Sequence, residues 1–228
     1  MLGRVHFIAD HLGGGAPAAV LDLVSAAIAG GVRCVQVRSK DCPDGERYEL
    51  AAAVVALCHE AGATCLVNDR VDIALAAAAD GAHVGDEDMP VAQARRLLGP
   101  LAVLGASSRD AQVAARAVTA GASYVGVGPC YPTASKVGLP APIGVEGMAA
   151  VVAAVDVPVI AIGGIDVHRA AELVAAGAYG VAVIAAIAAA RDPAAAARAL
   201  VEAVEAAATD GRTHDGAGMV PGVERGRL

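Results

Sequence analysis

Residues 121–144 read GASYVGVGPCYPTASKVGLPAPIG, a short apolar strand that runs directly into a loop rich in Gly and Pro. The stretch begins within an AGAS junction at Ala120, and the same junction recurs as AGAT at Ala61 and AGAY at Ala176. Gly readily adopts the left-handed conformation that ends a helix, and β-branched or aromatic residues then favour a strand. The stretch is therefore one copy of a repeated helix-stop and strand-start unit.

Eight such units follow one another along the 228 residues. The predicted strands are 5–9, 32–38, 64–67, 82–84, 102–104, 124–127, 159–162 and 180–183. The predicted helices are 18–29, 45–60, 71–78, 91–98, 111–119, 146–154, 167–175 and 193–207. Eight βα units predict a single (β/α)8 TIM barrel over residues 1–208, with a doubly wound open sheet as the alternative. Residues 209–228 lose apolar periodicity and are predicted to form a disordered C-terminal tail.

Composition narrows the class of protein. The chain is 56% hydrophobic, but no run approaches the roughly 18 uninterrupted apolar residues of a membrane span, so we expect no membrane association. The N-terminus lacks a signal-peptide pattern, which predicts a cytoplasmic location. A net charge of −7 with four Tyr, one Phe and no Trp argues against nucleic-acid binding. The five scattered Cys residues are interpreted as buried or incidental thiols.

The second predicted strand carries polar residues at every other position. Gln36, Arg38 and Lys40 alternate with valine and serine, so they share one side of the strand. If the valines pack against helices, the two cations point to the barrel mouth, where a phosphate or diphosphate would offset them. The alternative is a pair of surface salt bridges with Asp41 and Glu46.

Strands three and four end in carboxylates. Asn68 and Asp69 follow one strand and Asp88 follows the other, so all three belong to the same rim. Hard oxygen ligands beside a polyphosphate suit Mg²⁺, which completes its octahedron with substrate oxygens and water. The alternative is that Asp88, two residues before Pro90, only begins the next helix.

The remaining rim positions indicate two anion sites. Ser107 could donate to a phosphate oxygen or cap the fifth helix, and the loop within 121–144 offers hydroxyls and one ammonium. The loops after strands seven and eight are where barrels of this class often hold phosphate with backbone N–H groups. The first site comprises Arg38, Lys40, Asn68, Ser107 and Lys136 with a metal, and the second comprises loops seven and eight, near Gly164 and Ile184-Ala185.

Six short motifs in this order resemble the thiamine phosphate synthase (thiamine-phosphate pyrophosphorylase) family: VQVRSK, VNDR, DGAHVGDEDMP, LGASS, YVGVGPCYPTASK and AIGGI. The resemblance covers about residues 4–190. It implies a TIM-barrel transferase that joins hydroxymethylpyrimidine diphosphate to hydroxyethylthiazole phosphate, giving thiamine phosphate and pyrophosphate. The implied mechanism is dissociative and assisted by Mg²⁺.

The resemblance also implies residue roles. It makes Gln36 the pyrimidine contact and Asp69 and Asp88 the Mg²⁺ ligands. The implied diphosphate ligands are Arg38, Lys40, Asn68, Ser107 and Lys136, of which Arg38, Lys40, Ser107 and Lys136 are expected to be catalytic. The implied thiazole phosphate set is Thr133, Ser135, Gly164, Ile184 and Ala185.

Four positions depart from the family pattern. His6 stands where the family usually has Tyr, Ala9 where it often has Thr, Asp86 where Gln is common, and Ala185 where it has Ser. These differences are expected to tune substrate affinity.

The alternatives are a thiazole tautomerase-like isomerase, which relies on a His where this chain has Arg109, and a non-catalytic thiamine phosphate-binding barrel. An epimerase or an indole-pathway enzyme would need acid/base residues that this rim lacks. A homo-oligomer is possible.

Overall fold

Eight parallel strands form a closed barrel in which each strand pairs with its sequence neighbours and β8 pairs with β1. The structure, a computed structural model, describes residues 2–10, 16–40, 42–133, 135, 138 and 140–212, with side chains up to residue 209. The strands are β1 (Val5–Asp10), β2 (Cys34–Arg38), β3 (Thr64–Asn68), β4 (Gly81–Val84), β5 (Val103–Ser108), β6 (Tyr124–Val127), β7 (Val159–Ile162) and β8 (Gly180–Val183). The TIM-barrel prediction is confirmed, and the open-sheet alternative is wrong.

A helix follows every strand. The helices are α1 (Pro17–Ala29), α2 (Asp44–Glu60), α3 (Val71–Ala76), α4 (Val91–Leu98), α5 (Ala111–Thr119), α6 (Gly144–Val152), α7 (Val167–Ala175), α8 (Ala185–Ala188) and α9 (Pro193–Arg212). The short α8 was not predicted, because four residues carry too little periodicity to distinguish a helix from a loop. Helix α9 continues past the predicted end at residue 207, and residues 213–228 of the predicted tail lie outside the described residues. None of the described helices is both long and apolar enough to cross a membrane.

The strands alternate between two apolar layers. Side chains such as Phe7, Val35 and Val37 face outward and are buried beneath the helices. Ile8, Leu66 and Ile160 face inward and fill the barrel. Because both faces of a parallel barrel are covered, the strands are mostly apolar, and polar residues are concentrated near the strand ends.

The barrel interior also contains a polar layer. His6, Gln36, His83 and Tyr124 are all at least nine-tenths buried. Gly105 leaves the room that two of these rings need, since a Cβ there would lie 2.2 Å from Cζ of Tyr124 and 2.3 Å from Nδ1 of His83. The glycine is therefore required by packing rather than by backbone conformation.

We expect Gly105→Ala to destabilise the fold by about 3 kcal/mol, because the added methyl group must displace buried rings. Gly45→Ala is the matched control, since a Cβ at Gly45, in the first turn of α2, meets nothing within 4 Å. Urea denaturation of both variants measures the difference. Equal stability of the two variants would contradict the packing role of Gly105.

Candidate active site

The carboxyl ends of β1 and β2 bring together Asp10 and Arg38, which are direct partners in the strand register. Their side chains form an ion pair in which the Asp10 side chain is 3% exposed and that of Arg38 is 15% exposed. The other carboxylate oxygen of Asp10, Oδ1, is buried and has no hydrogen-bond partner within the described residues. Arg38 is thus held at the barrel mouth by an enclosed counter-charge.

Lys40 lies on the same rim, where its Nζ is 3.0 Å from Oδ2 of Asp69. The cations at and just after the end of β2 therefore pair with carboxylates at the end of β1 and just after β3. Neither of these described pairs includes Glu46, so the surface interpretation involving Glu46 is wrong. Asp41, the other predicted surface partner, lies outside the described residues.

Two carboxylates, Asp69 and Asp88, lie close enough for each to alter the pKa of the other. Burial favours a higher pKa for Asp69, but interactions with Asp88 and Lys40 outweigh it, and the pKa of Asp69 is lowered. Burial and the contact with Asp69 together raise the pKa of Asp88. Two carboxylates this close repel each other when both are ionised, so the pair favours a cation beside it.

The backbone holds both carboxylates in place. Asp69 has φ of 64°, a left-handed conformation that is uncommon outside Gly and typical of functional sites. Oδ2 of Asp88 accepts a hydrogen bond of 2.7 Å from the N–H of Gly85. The residue at the N-terminal boundary of α4 is Pro90, and no side-chain cap forms there. The interpretation of Asp88 as a cap of α4 is therefore wrong.

Asp69 and Asp88 fit a magnesium ion chemically. They supply hard oxygen atoms that lie close together, and with both carboxylates ionised the pocket carries two negative charges. Within the described part of the chain, no three carboxylate, His or Cys side chains gather as a metal site. Two protein carboxylates match an ion whose remaining ligands come from a polyphosphate and water.

Ser107, near the end of β5, lies at the edge of the buried polar layer. Its Oγ is 3.0 Å from Nε2 of His83, and Nδ1 of the same ring is 2.9 Å from the hydroxyl of Tyr124. Helix α5 is capped instead by Asp110, whose side chain accepts from the N–H of Val113. The interpretation of Ser107 as the cap of α5 is therefore wrong.

The loop after β6 packs closely against the loop after β7. A Cβ on Gly164 would lie 2.4 Å from the carbonyl oxygen of Pro132, so only glycine allows this approach. The hydroxyl of Tyr131 donates to Glu172 on α7 over 2.6 Å, and Arg169 stacks on the Tyr131 ring. These contacts hold the described part of the loop beside Gly164.

The other predicted residues fall at the same end of the barrel. Gln36 and Asn68 follow the inward alternation of β2 and β3, and Ile184 and Ala185 lie at the junction of β8 and α8. Oγ1 of Thr133 accepts from the N–H of Ser135. Lys136, the predicted ammonium of this loop, lies outside the described residues.

Sequence reasoning missed Asp10, His83 and Tyr124 as candidate site residues. Asp10 follows Ile8 by two positions, so period-two alternation would have placed it on the inner face beside Arg38. No comparable signal exists for His83 and Tyr124, because their contact depends on the register between β4, β5 and β6.

The contribution of His6 to stability depends on pH, because its ring is buried. Burial lowers the pKa of His6 to about 3, although the ring donates to the carbonyl oxygen of Gly3. The unfolded chain, with an ordinary pKa near 6.5, therefore takes up a proton first as the pH falls, and stability declines below about pH 6.5. At about pH 5 the loss from His6 is about 2 kcal/mol.

We expect His6→Tyr, the residue usual in the family, to lose about 2 kcal/mol less stability between about pH 7.5 and pH 5 than the unmodified chain. Urea unfolding at both pH values measures this difference in stability loss. His168→Gln, at an exposed position on α7, is the control and should retain the full loss. Identical losses for both variants would contradict the role of His6.

Comparison with known proteins identifies the family. The family model described as thiamine monophosphate synthase matches residues 5–187. The chain belongs to the thiamine monophosphate synthase family. The resemblance predicted from six short motifs is thus confirmed. Family membership makes the chain a transferase of thiamine biosynthesis, with thiamine-phosphate synthesis as its function.

Individual relatives agree over nearly their whole length. The chain is 55% identical to a thiamine-phosphate synthase of Salinispora arenicola, over 89% of this chain and 98% of the relative. It is 50% identical to that of Moorella thermoacetica, over 86% of this chain and 93% of the relative. Among solved structures, thiamine phosphate pyrophosphorylase from Pyrococcus furiosus superposes with a TM-score of 0.80 at 36% identity, covering 90% of this chain and 96% of that one.

Proposed function

We propose that this chain condenses 4-amino-2-methyl-5-hydroxymethylpyrimidine diphosphate with 4-methyl-5-(2-hydroxyethyl)thiazole phosphate, by a dissociative mechanism assisted by Mg²⁺. The observation that carries the proposal is the charge pattern of the barrel mouth. Arg38 and Lys40, each paired with a carboxylate, stand beside the adjoining Asp69 and Asp88. Two cations and a metal-binding pair at one rim suit a diphosphate leaving group.

In the proposed reaction, the C–O bond between the pyrimidine methylene and the diphosphate breaks first. The electron pair leaves with the diphosphate oxygen, and the pyrimidine-methyl cation is captured by the ring nitrogen of the thiazole. When bound at Asp69 and Asp88, Mg²⁺ would offset negative charge on the leaving group. Arg38, Lys40, Lys136, Asn68 and Ser107 would bind its oxygens, and such contacts strengthen as charge accumulates there.

The reaction needs no general base, because the thiazole nitrogen that attacks carries no proton. At the rim, the cations Arg38 and Lys40 are each paired with a carboxylate, so neither is a free base. The contribution of the protein would then be binding, orientation and charge stabilisation. Gln36 would contact the pyrimidine from within the barrel.

The second substrate would bind across the mouth. Thr133, Ser135, Gly164, Ile184 and Ala185 are proposed to hold the thiazole phosphate. The close approach of loops six and seven at Gly164 supports this grouping. Ala185 offers only its backbone where the family has a Ser hydroxyl, so weaker phosphate binding is expected. A cytoplasmic location and a homo-oligomer complete the proposal, and light scattering on the purified protein would measure the latter.

The test is to incubate the protein with both phosphorylated precursors and Mg²⁺, and to measure thiamine phosphate by mass spectrometry and pyrophosphate by a coupled assay. Equimolar formation of both products is expected, with none when either precursor is omitted. Binding of both precursors without turnover would favour the non-catalytic barrel. Isomerisation of a thiazole carboxylate phosphate would favour the tautomerase, although Arg109 here donates to the carbonyl of Ala141 in loop six.

A further inference from the structure

A chain of hydrogen bonds crosses the barrel interior from Tyr124, which lies near the proposed pyrimidine contact Gln36, to the proposed diphosphate ligand Ser107. The Tyr124 hydroxyl lies 2.9 Å from Nδ1 of His83, and the Gln36 side chain lies close enough to influence the pKa of the phenol. Nε2 of His83 lies 3.0 Å from Oγ of Ser107. Tyr124 is 1% exposed and His83 is 9% exposed, so solvent can scarcely reach the middle of the chain.

The hydrogen bonds can run in one direction in which every donor and acceptor has a partner. The Tyr124 O–H is buried and therefore needs an acceptor, and Nδ1 of His83 lies 2.9 Å from it. The Tyr124 hydroxyl can then donate its own proton to Nδ1 of His83. A neutral imidazole that accepts at Nδ1 must donate at Nε2, so Oγ of Ser107 accepts and its O–H remains free.

We propose that Tyr124 and His83 are positioning residues that keep the Ser107 hydroxyl pointing its proton at the diphosphate. The proposal rests on the proposed function, in which Ser107 contacts the leaving group. Without this order, the imidazole could accept from Ser107, and the serine would present a lone pair to an anion. The serine–diphosphate hydrogen bond matters most as the C–O bond breaks and negative charge builds up on the leaving oxygens.

The packing around Tyr124 and His83 supports a role for these hydrogen bonds beyond filling space. A Cβ on Gly105 would collide with both rings, and one on Gly126 would lie 2.9 Å from Cε1 of His83. Two strand positions that usually hold bulky apolar residues are thus occupied by glycine beside this polar pair. The arrangement also links the two ends of one substrate, since Gln36 would contact the pyrimidine and Ser107 the diphosphate.

The test is Tyr124→Phe, which removes one oxygen atom and frees Nδ1 of His83. We expect kcat to fall about tenfold, with little change in KM for the thiazole phosphate. Tyr179→Phe is the matched control, because its hydroxyl donates to the carbonyl of Leu2 at the opposite end of the barrel. That variant should retain full activity. Ser107→Ala with Tyr124→Phe should be no slower than Ser107→Ala alone, because no hydroxyl remains to be oriented.

The tautomer of His83 gives a readout independent of turnover. ¹⁵N NMR of the imidazole should show the proton on Nε2 in the unmodified chain and a mixture of tautomers in Tyr124→Phe. A proton on Nδ1 in the unmodified chain, an unchanged tautomer in the variant, or additive losses of kcat in the double variant would overturn the proposal. If the unmodified chain makes no thiamine phosphate, the proposed function fails, while the tautomer measurement still decides the hydrogen-bond order.

Discussion

Asp88→Asn should lower kcat at least about 100-fold and shift the Mg²⁺ concentration for half-maximal activity upward, because one of two charged metal ligands becomes neutral. The amide oxygen of Asn can still accept the hydrogen bond from the N–H of Gly85, so the loop should retain its conformation. Asp69→Asn should behave similarly. Steady-state kinetics over a range of Mg²⁺ concentrations measures both effects.

Asp86→Asn is the matched control for the metal prediction, since Asp86 is exposed on the same loop. It removes the same charge within two residues of Asp88 and should change kcat no more than a few-fold. Undiminished pyrophosphate release in the presence of EDTA would exclude the metal role. Equal losses of kcat for Asp86→Asn and Asp88→Asn would also exclude it, because removal of a negative charge anywhere on this loop would then explain the effect.

Arg38→Met should abolish measurable turnover and also destabilise the fold by about 3 kcal/mol, since it leaves a buried carboxylate without its partner. The Asp10 side chain is almost wholly buried, and one of its oxygens already lacks a described partner. The loss of turnover follows from removing a guanidinium that would bind the diphosphate. Thermal or urea unfolding separates the stability effect from the kinetic one.

A double variant makes this separation sharper. Asp10→Leu combined with Arg38→Met replaces both charges with apolar groups and should recover most of the lost stability while remaining inactive. Arg70→Met is the surface control. Its guanidinium pairs with Asp44 and Asp72, whose side chains are well exposed, so its loss should cost under about 1 kcal/mol. Recovery of activity in the double variant would show that Arg38 has no role in catalysis.

The site illustrates where sequence reasoning succeeds. Alternation along β2 correctly predicted that the valines pack outward and that Gln36 faces the barrel interior. The same alternation placed Arg38 and Lys40 on one rim. The cap interpretations of Asp88 and Ser107 could not be decided from the sequence, because Asx and Ser residues near a helix start serve either purpose. Only the observed partners, Gly85 and His83, distinguish them.

The sequence by itself determined the repeated βα unit, the family and the strand ends that carry polar residues, because these depend on local periodicity and on neighbours along the chain. The tertiary structure alone decided which of these residues meet. Asp10 pairs with Arg38, Asp69 meets Asp88, and Tyr124 reaches Ser107 through His83. Those contacts depend on strand register and barrel closure, and a shift of one residue would turn each side chain to the opposite face.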